Sequence, residues 1–171
     1  MDKIEYTRLV EKYYEDIKRV AFAGSRDMYD AEDITQTAFM KLINTSEEFE
    51  DDENIKMWLI RVAVNEYKSL WRSPWKSKVD FYIPERSTGG YGRDAERTQV
   101  MESVLKLKQK HREVIHLFYY EEYTAKEIGE MLGISESTVF KRLQRAREKL
   151  KDNLISKYDN LQFRRIANND E

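Results

Sequence analysis

Apolar residues recur at three- and four-residue spacings along most of this chain, and no alternating run of strand length interrupts them. The pattern predicts an all-α protein. A first helix is expected from about Ile4 to Phe22, with Leu9, Tyr13, Ile17 and Val20 on one side. Gly24 and Ser25 break the period. Asp30 is then placed to cap a second helix whose Ile34, Ala38 and Leu42 face inward and leave Asp33, Gln36 and Lys41 outside. An acidic loop around Glu47 to Asn54 leads into a third helix, with Ile55, Leu59, Val62, Ala63 and Leu70 on a common side. Trp58 lies at the border of the opposite, polar stripe and is assigned to the core, the alternative being a wedge for unstacked bases. Glu66 falls on the core side as well, a misfit for a carboxylate.

The helical period stops between Ser73 and about Glu96, where both prolines, Pro74 and Pro84, occur with Gly89, Gly90 and Gly92. This predicts two small helical domains, residues 1–73 and 97–158, joined by a flexible linker over 74–96 and followed by a frayed tail over 159–171. The linker carries Trp75, Phe81, Tyr82 and Tyr91, more aromatics than a passive spacer needs. Docking on another surface and packing against its own domains are both open. In the second domain Val100, Val104 and Leu107 mark one helix, and Val114, Ile115, Leu117 and Phe118 the next.

From Tyr123 to Leu150 two helices are joined by a turn, each boundary with its own chemistry. Thr124 can cap the first with Glu127 reaching back, Gly133 suits a left-handed turn position, and Ser135 can cap the second. At ~100° per residue, Val139, Leu143, Ala146 and Leu150 share one side of the second helix. Thr138, Lys141, Arg142, Arg145 and Lys149 cluster away from them. That combination predicts a helix-turn-helix that presents a cationic face to DNA; the alternative is a solvated charged face on a core helix. The third helix has a second such face, a stripe of Arg61, Asn65, Lys68 and Arg72.

Charge supports this picture through its distribution. Thirty basic and thirty-two acidic residues leave a net charge of −2, unusual for a protein that binds nucleic acid unaided. Acids gather at Asp30, Glu32 and Asp33 and again from Glu47 to Glu53, while cations gather between Lys56 and Lys78 and after Lys141. Such segregation suits two partners of opposite character, a protein surface and DNA. The chain has no cysteine, which excludes disulfides and thiolate metal sites. His111 and His116 do not share a helix face as a metal pair would, so no metal, no cofactor and no catalysis are expected. The lack of a membrane-length apolar run and of a signal-peptide core predicts a cytoplasmic protein without direct membrane insertion.

These residues resemble the sigma factors of bacterial RNA polymerase, in the small extracytoplasmic-function (ECF) group of the sigma-70 family. Asp30-Ala-Glu-Asp-Ile-Thr-Gln-Thr-Ala-Phe39 matches the acidic motif of that family's region two, and Trp58-Leu-Ile-Arg-Val-Ala-Val-Asn65 matches its W-L-x-x-I-A-x-N. His111-Arg-Glu-Val-Ile115, Thr124 through Val139, and Arg142-Leu-Gln-Arg-Ala-Arg147 are similar to region four. The match covers nearly the whole chain. Either motif alone is common; both, in this order and in so short a chain, are specific.

The resemblance implies that Asp30, Glu32, Asp33 and Gln36 bind core RNA polymerase. It implies that Arg61, Asn65 and Lys68, with Phe49 and Asn54 in the preceding loop, recognise and melt the minus-ten promoter element. Ser135, Ser137, Thr138, Lys141, Arg142 and Arg145 would meet the minus-thirty-five element. It also implies an anti-sigma partner, often membrane-anchored in this family. The chain departs from the family pattern at Lys108, where proline is common, at Ser137, where glycine is usual, and in the acidity of its Glu47 to Glu53 loop. The alternative is a stand-alone helix-turn-helix regulator whose first domain senses a signal or dimerises.

Overall fold

The computed structural model describes the backbone of residues 2–73 and 95–167, with side chains over 2–73 and 100–155. The expected linker, with its four aromatics, lies almost wholly outside the described residues. Among the described residues there are seven helices and no strand.

Helix α1 spans Lys3–Ser25, α2 Met28–Asn44 and α3 Asp52–Arg72. Each begins at an aspartate whose side chain accepts from a backbone amide three residues on: Asp2 from Glu5, Asp27 from Asp30, Asp51 from Asn54. The cap of α2 is therefore Asp27, not Asp30. Asp30 sits inside the first turn, where its amide is the donor and its charge still favours the helix N-terminus. α1 runs past Gly24 and stops where Arg26 adopts a left-handed conformation at φ 62°.

The three helices close around Leu9, Ile17, Ile34, Ala38, Leu42, Leu59 and Ala63, all on the predicted inner faces. Val62 and Leu70 are only half-buried, whereas Ile60, Val64 and Tyr67, outside the predicted stripe, are fully covered. Glu66 is accommodated at the α2 boundary, where it pairs with Lys41 at 2.5 Å instead of entering the core.

The second domain comprises α4 (Ala95–Leu105), α5 (Gln109–Tyr119), α6 (Ala125–Leu132) and α7 (Glu136–Ala167). Val104, Leu107, Val114, Ile115, Leu117, Ile128, Val139, Leu143 and Ala146 form its core; Val100 is exposed and Phe118 half-buried. α7 continues through part of the segment expected to fray, and residues 168–171 lie outside the described ones.

The two domains pack on each other, α1 against α5 and α3 against α6. At the seam the fully buried Arg112 donates to the carbonyls of Ala23 and Gly24 at the end of α1 and to Leu107 in its own domain. Trp71 Nε1 donates to the same Gly24 carbonyl at 3.0 Å. Tyr67 donates its hydroxyl hydrogen to Glu113 at 3.2 Å, and Tyr123 donates to Glu53 at 2.8 Å. Lys56 bridges Asp16 and Glu121, each at 3.2 Å. Burial pushes Glu113 upward, partly opposed by Lys68 and Arg142. Burial would also push Glu121 up, but His116 and Lys56 hold it below the usual carboxylate range.

Gly24 is required here by close approach. A Cβ at this position would lie 2.2 Å from the Tyr67 ring, which is itself wedged under the second domain. Gly24→Ala is expected to destabilise the protein by about 1–3 kcal/mol, the usual range for overpacking. Chemical denaturation checks this, and a change below about 0.5 kcal/mol would mean that the Tyr67 contact relaxes freely.

Candidate nucleic-acid interface

The helix-turn-helix is built by local hydrogen bonds. Thr124 and Glu127 form a reciprocal capping box: the Thr124 amide donates to the Glu127 carboxylate at 2.8 Å, and the Glu127 amide to the Thr124 hydroxyl at 3.3 Å. The Thr124 hydroxyl, which also donates to the Glu127 carboxylate at 2.7 Å, and the Thr124 amide hold that carboxyl below its ordinary range. Gly133 ends α6 at φ 67°, the left-handed conformation that glycine adopts without a Cβ penalty. The Thr138 amide donates to the Ser135 hydroxyl at 3.2 Å, so Ser135 caps α7 as expected.

With Val139, Leu143 and Ala146 fully buried, the orientation of α7 is set. Ser135, Ser137, Lys141 and Arg145 are exposed, and Thr138 is half-buried with its hydroxyl 2.8 Å from that of Ser135. Arg142 is placed differently from Lys141 and Arg145. It is half-buried, with Nη1 2.9 Å from the Glu113 carboxylate, and so braces α7 against α5. Two residues on the outward face did not figure in the sequence reading. Phe140 (53% exposed) and Gln144 flank Lys141 and Arg145, and helix angle alone would have found them. Gln144 is of the residue type that reads adenine in the major groove.

On α3, Arg61 and Asn65 are exposed one helical turn apart. Lys68, half-buried, donates to the Leu132 carbonyl of the second domain at 3.1 Å. In the preceding segment Phe49 meets Trp58 edge to face, with ring centroids 5.8 Å apart. These rings line a groove of about 380 Å³ with Asn54, Arg61 and four carboxylates, Glu47, Glu48, Glu50 and Glu130. Trp58, expected in the core, is half-buried and lines the groove. The aromatic wall and Arg61 are of the types that hold unstacked bases and a phosphate, while the glutamates disfavour phosphate on their side of the groove.

The outer face of α2 carries the acidic motif. Glu32, Asp33 and Gln36 are exposed and Asp30 is half-buried. At helical spacing with them stand Tyr29 (85% exposed), Met40 (64%) and Ile43 (49%), an apolar component absent from the sequence reading. Apolar side chains rimmed by acids mark a protein-docking face. Among the described residues no group of three or more His, Cys, Asp or Glu could hold a metal ion, and no helix is long and apolar enough to cross a membrane.

The family model for sigma-70 region 2 matches residues 9–77, and that for sigma-70 region 4 matches residues 105–152. The ECF RNA polymerase sigma factor SigW of Bacillus subtilis is 29% identical over 172 residues, covering 90% of each chain. The RNA polymerase sigma factor YlaC of the same organism is 28% identical, covering 85% of this chain and 90% of its own. Among solved structures, the sigma factor RpoE of Bartonella quintana, in complex with the anti-sigma factor NepR, superposes with a TM-score of 0.69 at 22% identity. It covers 88% of this chain and 96% of that one. CnrH, in complex with the cytosolic domain of CnrY, gives 0.65 at 23% identity, covering 91% and 90%. Two helical domains carrying these two regions define the class, a promoter-directing transcription-initiation factor. The chain belongs to the sigma-70 family of RNA polymerase sigma factors, in its ECF group.

Thr124→Ala removes the hydroxyl of the capping box and is expected to cost about 1 kcal/mol at neutral pH. The Glu127 pKa is lower folded than unfolded, so its stabilising contribution is present above its ordinary value of 4.5 and is lost as pH falls through the lower folded value. The difference between wild type and variant, measured by denaturation, should therefore shrink below that pH. A constant difference would separate Glu127 from the box.

Proposed function

We propose that this sigma factor uses three separate faces for three tasks: α2 for core RNA polymerase, α3 with the loop before it for the minus-ten element, and α7 for the minus-thirty-five element. The observation that carries this assignment is the presence of two cationic helix faces on different domains, with the apolar and acidic face of α2 turned elsewhere. A net charge of −2 gives the free chain little general attraction for DNA, so useful affinity comes from holoenzyme assembly.

On α2, Glu32, Asp33 and Gln36 supply polar recognition, Tyr29, Met40 and Ile43 the apolar contact, and Asp30 supports the first turn. On α3, Arg61 and Lys68 engage the strand backbone, Asn65 and Asn54 offer hydrogen bonds to base edges, and Phe49 with Trp58 offers a stacking wall. On α7, Lys141 and Arg145 reach phosphates or guanine edges, while Ser135, Ser137 and Thr138 place hydroxyls and a helix N-terminus at the backbone. Arg142 acts at this surface through its brace on Glu113. The protein works without catalysis or cofactor, in the cytoplasm with the polymerase, and its activity is held in check by an anti-sigma factor. Of two solved structures of the same fold, RpoE is in complex with an anti-sigma factor, NepR, and CnrH with the cytosolic domain of CnrY.

Run-off transcription with purified core polymerase tests the assignment. The wild-type chain should support initiation at its promoter, and Arg61→Ala should reduce open-complex formation more than closed-complex binding. Lys141→Ala should weaken holoenzyme binding to minus-thirty-five duplex and lower the salt slope by about one unit, as loss of one phosphate contact requires. Tight two-fold-symmetric promoter binding without polymerase, and no initiation with it, would instead indicate a stand-alone regulator.

A further inference from the structure

We propose that the cavity where the end of α1, the last turn of α3 and the α4–α5 turn meet is a binding site for a diphosphate group, borne by inorganic pyrophosphate or by a nucleotide. It is separate from the three faces assigned above. The cavity has a volume of about 300 Å³, and its wall includes Arg26 just past α1, Trp71 of α3, Lys106 and Lys108 in the α4–α5 turn, and Arg112 of α5. Four of these side chains are cationic, and among the described residues no carboxylate lines the cavity. Lys106 and Lys108 are exposed, and among the described residues neither ammonium enters an ion pair or a hydrogen bond.

Cations gathered in this way repel one another. Burial lowers Arg26, and burial together with the charge of Arg26 brings Arg112 down to about 10. An anion between them offsets that repulsion. The donors also suit phosphate oxygens. Arg112 gives three N–H groups to the carbonyls of Ala23, Gly24 and Leu107, and a guanidinium carries more than three. The guanidinium of Arg26 is held at the cavity by the Trp71 ring, 5.5 Å from its centroid. α5 opens beside the lysines with Lys108 as its N-cap and no side-chain cap, which adds the positive pole of that helix. The cavity is larger than one phosphate group, and two linked phosphates can engage Arg26 of the first domain together with Lys106 and Lys108 of the second. Because the cations come from both domains, a diphosphate held here binds the packed arrangement in preference to a parted one and stabilises it by mass action.

The test titrates the full chain with sodium pyrophosphate and, separately, with ADP, in magnesium-free buffer at constant ionic strength, with sodium sulfate as the control. Calorimetry should show saturable pyrophosphate binding, and the denaturation midpoint should rise and level off over the same concentrations. Sulfate should give neither. The paired substitution Lys106→Gln with Lys108→Gln removes two lining charges at exposed positions. Arg26→Asn removes a third at a left-handed position that asparagine tolerates. Each should weaken pyrophosphate binding roughly ten-fold or more, as loss of hydrogen bonds to a charged group implies. Lys110→Gln, exposed on α5 but outside the cavity lining, should bind as the wild type does. ADP binding as tight as pyrophosphate, and lost in the same variants, supports the site with a nucleotide as the source; weaker ADP binding supports it with the inorganic anion. No saturable pyrophosphate binding, a sulfate effect of equal size, binding retained in both lining variants, or an equal loss in Lys110→Gln overturns the proposal.

Discussion

The arrangement of this protein depends on one guanidinium. The last turn of α1 contains no basic residue to offset its negative pole, and Trp71 supplies one donor there, to the Gly24 carbonyl. Arg112 of the second domain supplies donors to Ala23 and Gly24 and a third to Leu107, and is fully buried in doing so. Burial, together with the nearby Arg26, pulls its pKa down to about 10, still well above neutrality, so the charge persists. Hydrogen bonds to a charged group contribute about 1.5–3 kcal/mol, and separating them would leave carbonyls and a cation to be hydrated anew. Domain closure is thus coupled to the completion of a helix end.

Once Arg112 is seated, neighbouring contacts follow from its position. Glu113, the next residue, turns toward Tyr67 across the seam and toward Arg142 within its own domain. The same carboxylate therefore helps set both the rotation of α7 and the approach of α3. Lys56, Asp16 and Glu121 close the other side with opposed charges at half-buried sites, where screening is weaker than at the surface. Among the described residues the contacts of this seam come from α1 and α3, and the apolar and acidic outer face of α2 is exposed.

Much of this was legible in the chain, and the exceptions share a cause. Helix positions, the inward residues of α1 and α2 and the caps of the helix-turn-helix follow from spacing and local hydrogen bonding, which a sequence displays directly. The buried state of Tyr67, Ile60, Val64, Arg112 and Glu113 does not, because a helical wheel assigns one buried face and α3 and α5 each have more than one covered side. Glu66 seemed misplaced until α2 brought Lys41 beside it. Asp30 is an acceptable cap by residue type, but Asp27 lies three residues earlier with the same chemistry, and α2 starts from it. Arg142 and Arg145 look equivalent in sequence, and only the position of Glu113 separates the brace from the outward cation.

The domains of the free protein are held together by a specific seam, not merely tethered. Because the chain contains no cysteine, spin labels can be placed cleanly at Glu11→Cys on α1 and Lys126→Cys on α6, both exposed and outside the seam contacts. Double electron–electron resonance on the free protein should give one narrow distance distribution that broadens when Arg112→Met is added. A broad distribution in the otherwise wild-type chain, unaffected by that substitution, would contradict the account.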